Sequence, residues 1–223
     1  MSRKILIIAD SRGLKLGDQL DEYNDFDYVV KSHRGADIEF STYLSLGDIY
    51  TERPDLIIIM SGICQITKKV GKNKFQLRKK SAQKIVDDYM RSVIITRDMI
   101  SYYCEQREIK CPGICFTTQT GADLKRQNKM KGRKKHPDQR KLNRIIYEIN
   151  KCVVYINRKS GPPTIWLSKY THRYHSKVGR YHSGYKTLKD GVHPKLKLVK
   201  YWAKEINRSN RAFYGLGPKN EKA

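Results

Sequence analysis

The sequence predicts an α/β fold, a five-stranded parallel sheet with helices on both faces. Two observations carry that expectation. Short apolar runs of the kind buried on both faces of a sheet alternate with longer helical patterns from one end of the chain to the other. The order strand, helix, strand repeats without a break in composition, which parallel strands joined by crossover helices require. No domain boundary interrupts it, so residues 1–207 read as one domain and 208–223 as a polar, Gly-containing tail.

The elements follow in order. Lys4-Ile5-Leu6-Ile7-Ile8-Ala9 is the first strand, and a short helix spans 13–22. Asp27-Tyr28-Val29-Val30 is the second strand, followed by a helix over 36–46. Pro54 precedes the third and most apolar strand, Asp55-Leu56-Ile57-Ile58-Ile59-Met60. A helix over 78–107 carries Ile85, Tyr89, Val93 and Ile100 near helical spacing. Ile114-Cys115-Phe116-Thr117 is the fourth strand, and 138–157 is helical. Thr164-Ile165-Trp166-Leu167 reads as a fifth strand after the Gly161-Pro162-Pro163 turn, and 195–207 closes the domain as a helix.

Composition narrows the class. The chain has 223 residues, 39% hydrophobic and 30% charged, enough for one sizeable core and unlike a disordered segment. No apolar run is long enough to span a bilayer. The stretch Ile5 to Ala9 behind Arg3-Lys4 is too short for a secretory signal, which suggests an intracellular protein. The five cysteines are an odd number without metal-type pairing, as expected of free thiols in a reducing compartment. Cys104, Cys111, Cys115 and Cys152 read as core positions. No cofactor is expected.

The charge is unusual. Lys and Arg number 46 against 22 acids, a net +24. Such an excess favours a polyanionic partner, RNA or DNA first and an anionic membrane surface second. Three stretches hold all of it, Lys68–Lys84, Lys125–Lys141 and Lys169–Lys200, each with a net charge of +8. They start after strands three, four and five, so all three should flank the carboxyl edge of the sheet. Lys131, Arg133, Lys134, Lys135, Arg173 and Arg180 are the candidate nucleic-acid contacts. The third stretch interleaves Tyr170, His172, Tyr174, His175, Tyr181, His182 and Tyr185, and aromatic planes of this kind can stack on unpaired bases. His172, His175 and His182 lack an acidic or Cys companion, so no metal site is expected.

In an open α/β sheet, sites form at the carboxyl ends of the strands. Ala9-Asp10-Ser11-Arg12-Gly13 follows the first strand. A Ser in that turn can be a nucleophile beside backbone N–H groups, or simply a helix N-cap. Asp190-Gly191-Val192-His193-Pro194 precedes the last helix. Asp and His three apart can share a turn and orient the imidazole toward a nucleophile, or the Asp can be a cap before a helix that Pro194 starts.

Together these motifs resemble the SGNH/GDSL hydrolase family. That family carries Gly-Asp-Ser after strand one, a Gly after strand two, Gly-x-Asn-Asp after strand three and Asp-x-x-His near the C-terminus. This chain shows Ala9-Asp10-Ser11, Gly35 in His33-Arg34-Gly35-Ala36, Gly62-Ile63-Cys64-Gln65 and Asp190-Gly191-Val192-His193, a likeness spanning about residues 3–207. The resemblance implies a three-layer SGNH-hydrolase-like (flavodoxin-like) fold. It also implies a serine esterase or acetylhydrolase acting on a small acyl ester, with Ser11 as nucleophile, His193 as base and Asp190 as orienter. Ser11, Gly35 and the position held here by Cys64 would form the oxyanion hole. Cys64 in place of Asn loses a strong donor, which Gln65 would supply if the turn differed by one residue. With Cys64 there, a catalytically weak or inactive nucleic-acid-binding module is the alternative. The strongly basic character further resembles SGNH-like domains in the first open reading frame of some non-LTR retrotransposons, regarded as esterases. An SGNH-like insect domain that lacks the catalytic set and binds RNA is less similar, because this chain keeps Ser11, Asp190 and His193.

Overall fold

The computed structural model describes residues 2–71, 74–130, 136–175, 180–183 and 185–217. Strand β1 (Lys4–Asp10) lies inside a sheet with β2 (Asp27–His33) and β3 (Leu56–Met60) on either side, and β6 (Gly113–Phe116) beyond β3. The order is β2-β1-β3-β6 and every pairing is parallel. Between β3 and β6 the chain forms a small antiparallel hairpin, β4 (Thr67–Gly71) and β5 (Lys74–Leu77). A second hairpin, β7 (His172–His175) and β8 (Arg180–Ser183), falls in the third basic stretch.

The helices in chain order are α1 (Gly17–Leu20), α2 (Ile38–Leu44), α3 (Leu46–Glu52), α4 (Ile63–Ile66), α5 (Ala82–Gln106), α6 (Leu124–Gln127), α7 (Gln139–Ser160) and α8 (Leu196–Phe213). Side chains alternate across a strand, and the sheet sorts them accordingly. Leu6, Ile8, Ile57, Ile59, Ile114 and Phe116 pack under α2, α3, α5 and α7. Ile5, Ile7, Ala9, Leu56, Ile58, Met60 and Cys115 face α1 and α8, where Leu198, Trp202 and Ile206 are fully buried. All four positions predicted for the inner face of α5 are buried, Ile85, Tyr89, Val93 and Ile100. Among the described residues, no helix is long and apolar enough to cross a membrane.

Among the described residues the sheet has four strands rather than five. Residues 164–167 run alongside β6 but contribute one backbone bond, Thr118 N–H to the Ile165 carbonyl at 3.1 Å, before turning into a 3-10 helix at Leu167–Tyr170. Pro162 and Pro163 supply no N–H for a ladder. The outward N–H and C=O of Phe116 are instead satisfied by the side-chain amide of Asn157 on α7, at 3.1 and 2.7 Å.

The expected end at 207 is also corrected, because α8 continues to Phe213. Ser209 and Asn210 are buried and Arg211 pairs with Asp25, so the polar stretch from Arg208 begins as packed helix. The expected helix over 36–46 is two helices, α2 and α3, meeting at Ser45. Cys111 is exposed and Cys152 half-buried, so of the four cysteines expected in the core only Cys104 and Cys115 are fully buried.

Candidate active site

Strand order reverses about β1, and the ends of β1, β2 and β3 open onto one edge, the place where ligands bind in such sheets. Register fixes the relation: Asp10 pairs with His33 and Ala9 with Met60. Ser11 immediately follows β1, Gly35 lies in the turn after β2, and Gly62 and Cys64 follow β3. All stand at the same edge.

Ser11 begins a 3-10 turn, Ser11–Gly13, but it is not the cap. Asp10 is, accepting from the Arg12 N–H at 3.0 Å. The Ser11 hydroxyl is thereby left for another partner, and Oγ lies 3.0 Å from His193 Nε2. On the far side of the ring, Nδ1 is 2.7 Å from Asp190 Oδ2. Partial burial pushes the Asp190 carboxyl up, but hydrogen bonds from the backbone and ring of His193 and from the Val192 N–H outweigh it and hold it below its ordinary value. An ionised carboxylate only accepts, so His193 Nδ1 donates to Asp190. Nε2 of the neutral ring then accepts from Ser11. The Asp190 and His193 side chains are 54% and 44% exposed, so solvent reaches them directly.

The turn carrying this pair is built for close approach. Gly191 has φ +95°, and a Cβ there would meet the Asp123 carbonyl at 2.5 Å and the Gln127 nitrogen at 2.7 Å. Its carbonyl accepts from Asp123 N–H at 2.7 Å, and the Lys189 N–H to His193 carbonyl bond, also 2.7 Å, closes the loop. Gly62 is equally constrained. Its φ is +138°, and a Cβ would collide with the Tyr89 ring at 2.7 Å.

Behind Ser11 lies a feature that sequence reasoning missed. Arg12 turns inward and is 3% exposed, and Asp10 is 1% exposed. The Arg12 Nε donates to both Asp10 oxygens at 2.9 and 3.1 Å, and Nη2 donates to Oδ2 at 2.7 Å. The guanidinium continues to Thr120 Oγ1 at 2.7 Å and Gln119 Oε1 at 3.3 Å. Burial opposes the Arg12 charge, and Asp10 more than restores it, raising its pKa. The pair ties the Ser11 turn to the segment after β6. An Asp and an Arg flanking a Ser was the available signal, but local sequence does not show that the Arg is buried.

Cys64 is half-buried on α4, and its backbone carbonyl accepts from Arg78 at 2.9 Å. Burial pushes its thiol up, and the charge of Asp10 adds to that. The thiol therefore stays protonated at neutral pH, unlike an activated nucleophile. Gln65, the alternative donor, is buried with neither amide atom hydrogen-bonded among the described residues. Its amide is enclosed rather than presented to the edge.

The basic stretches meet although they are far apart in sequence. Asn128 bridges to both backbone groups of Phe75, at 2.6 and 2.7 Å, joining the second stretch to the β4–β5 hairpin of the first. Arg126 Nη1 donates to the carbonyls of Tyr185 and Leu188 at 3.2 and 2.8 Å, joining the second to the third beside the Asp190–His193 turn. Lys131, Arg133, Lys134 and Lys135 lie outside the described residues, as do the side chains of Arg173 and Arg180. Among the described residues no His, Cys, Asp and Glu cluster has the makings of a metal site.

The sequence matches no family model and no curated protein. Its structure is similar to solved ones. A lipase/acylhydrolase from Enterococcus faecalis superposes with a TM-score of 0.60 at 17% identity, covering 98% of this chain and 99% of that one. A GDSL-like lipase from Bacteroides thetaiotaomicron gives 0.57 at 13%, covering 96% and 88%. A psychrotrophic esterase from Pseudoalteromonas, solved with monoethylphosphonate as inhibitor, gives 0.56 at 12%, covering 96% and 99%.

Proposed function

We propose, from the premise that this chain has the SGNH/GDSL hydrolase-like fold, that it is a serine esterase cleaving small acyl esters at Ser11. The observation that carries the reading is the continuous hydrogen-bonded line from Ser11 Oγ through the His193 ring to Asp190. Ser11 Oγ attacks the ester carbonyl carbon as its proton passes to His193 Nε2, and Asp190 stabilises the imidazolium that results. Backbone N–H groups of Ser11 and Gly35 receive the oxyanion. The bond to the alcohol then breaks as His193 gives its proton to that oxygen, leaving the acyl group on Ser11. Water, deprotonated by the same ring, attacks the acyl carbon, and the acid departs as Ser11 Oγ takes the proton back from His193. With Cys64 in place of a side-chain donor, the reaction runs slowly, since one such donor is worth roughly 10²–10³ in rate. The five free cysteines suit an intracellular setting. The test is hydrolysis of a short-chain activated ester by the wild type and by Ser11→Ala. Loss on the order of a thousandfold is expected. Equal rates in the two proteins would end the esterase reading.

A second reading rests on the joined basic stretches. They form a nucleic-acid surface beside the same edge, as would suit a mobile-element protein working on its own template. Single-stranded RNA or DNA should then bind with a steep salt dependence, because phosphate contacts release counterions. Ser11→Ala should leave that binding intact. No binding at low salt would remove nucleic acid from this reading.

A further inference from the structure

The edge of the sheet opposite Ser11 holds a cavity of about 390 Å³. Its walls are the segments that lead into the strands: Arg3 before β1, Arg53 to Asp55 before β3, and Lys110 to Pro112 before β6, with Gly113 at the start of that strand. The end of α8 closes it with Phe213 and Tyr214. Since β1 is seven residues long, the cavity stands roughly 20 Å from Ser11 and shares no residue with the proposed active site.

Three cations line this cavity, Arg3, Arg53 and Lys110, against one acid, Asp55. Asp55 accepts the Lys4 backbone N–H at 2.9 Å. None of the three cations forms an ion pair with a carboxylate among the described residues. Arg3 instead stands 4.0 Å over the Tyr214 ring and Arg53 stands 4.5 Å over the Tyr50 ring, contacts that hold a guanidinium in place without neutralising it. Arg53 is also costly where it sits. It ends α3 with φ +48°, a left-handed cap that Gly or Asn fills at less strain. Like charges around a small space repel each other, and a bound anion relieves that repulsion. The remaining wall is apolar, from Ile49, Pro54, Ile109, Pro112 and Phe213.

We infer that this cavity binds a phosphate monoester carried on a flat, partly apolar body, the chemistry of a nucleoside 5′-monophosphate. Guanidinium forks match phosphate oxygens, the apolar wall receives the base, and the volume lies in the range of small-ligand sites. The same chemistry is offered by a free nucleotide and by the 5′-phosphorylated end of a nucleic acid.

Calorimetric titration of the full chain with AMP and UMP tests the site. Binding is expected, with Arg53→Gly and Lys110→Gln each weakening it fivefold or more. Arg53→Gly suits the left-handed φ, so the charge is removed without backbone strain. Arg158→Gln, an exposed cation on α7, should change affinity less than twofold, and Ser11→Ala should not change it. A 5′-phosphorylated RNA trinucleotide that binds more tightly than AMP would identify a chain end as the occupant, and the reverse order a free nucleotide; either sustains the site. Failure of AMP and UMP to bind at millimolar concentration would overturn it. So would adenosine or inorganic phosphate competing as well as AMP, or Arg158→Gln weakening binding as much as Arg53→Gly. Esterase activity enters none of these readouts, so this site and the proposed catalytic one fail independently.

Discussion

Replacing Arg12 with Met should destabilise the protein by about 3–5 kcal/mol, the cost of stranding one partner of a buried ion pair. Asp10 accepts four hydrogen bonds, three of them from the Arg12 guanidinium. Arg12→Met removes those three and leaves a carboxylate 1% exposed with one backbone donor. Thr120 and Gln119 lose their donors as well. For a domain of this size the melting temperature should fall by about 6–20 °C. The companion Asp10→Asn/Arg12→Met removes both charges and keeps an acceptor for the Arg12 N–H, so it should recover much of the loss. Urea melts of wild type, single and double variants measure all of this. A single variant within about 1 kcal/mol of wild type, or a double variant no better than the single, would refute the assignment of Asp10 and Arg12 as a mutually dependent pair.

Cys64→Asn should raise ester hydrolysis tenfold or more if that position faces the oxyanion, the donor being worth about 3 kcal/mol elsewhere; unchanged turnover in a folded variant places Cys64 away from it. Gln65→Met should be stabilising by about 1 kcal/mol, because it replaces an enclosed, unpaired amide with an apolar chain of similar length; a drop in hydrolysis at unchanged stability would instead make Gln65 the missing donor. Asp190→Asn should lower hydrolysis by about 10²–10⁴ through the wrong imidazole tautomer, with little change in melting temperature because the carboxylate is half-exposed. Since folding holds Asp190 below its ordinary value of 3.8, its small contribution to stability is present above that pH and fades as the pH falls through the folded value, in wild type and not in Asp190→Asn. Neutralising Lys131, Arg133, Lys134 and Lys135 together should weaken binding of single-stranded RNA and flatten its salt slope, read by fluorescence anisotropy across a salt series; an unchanged slope removes this stretch from the interface.

The sequence by itself determined the layers and the order of the candidate site residues. Runs such as Ile5–Ala9 and Leu56–Met60 are strands because every residue is apolar and both faces are covered, and the spacing of Ile85, Tyr89, Val93 and Ile100 can only line one side of a helix. Ser11 after the first strand, and Asp190 with His193 before the last helix, were legible for the same reason: each depends on neighbours a few positions away. Tertiary structure alone decided what depends on residues far apart. Whether Thr164–Leu167 pairs as a strand turned on Asn157, which takes the outward backbone groups of Phe116. Whether Ser11 is a cap or a free hydroxyl turned on Asp10, held by its near neighbour Arg12, whose guanidinium is fixed in turn by Gln119 and Thr120 from more than a hundred positions along the chain. The cavity at the opposite edge is assembled from four separate segments of the sequence. Hydrogen bonds and charges of this kind have no periodicity, so they exist as a pattern only once the chain has brought their partners together.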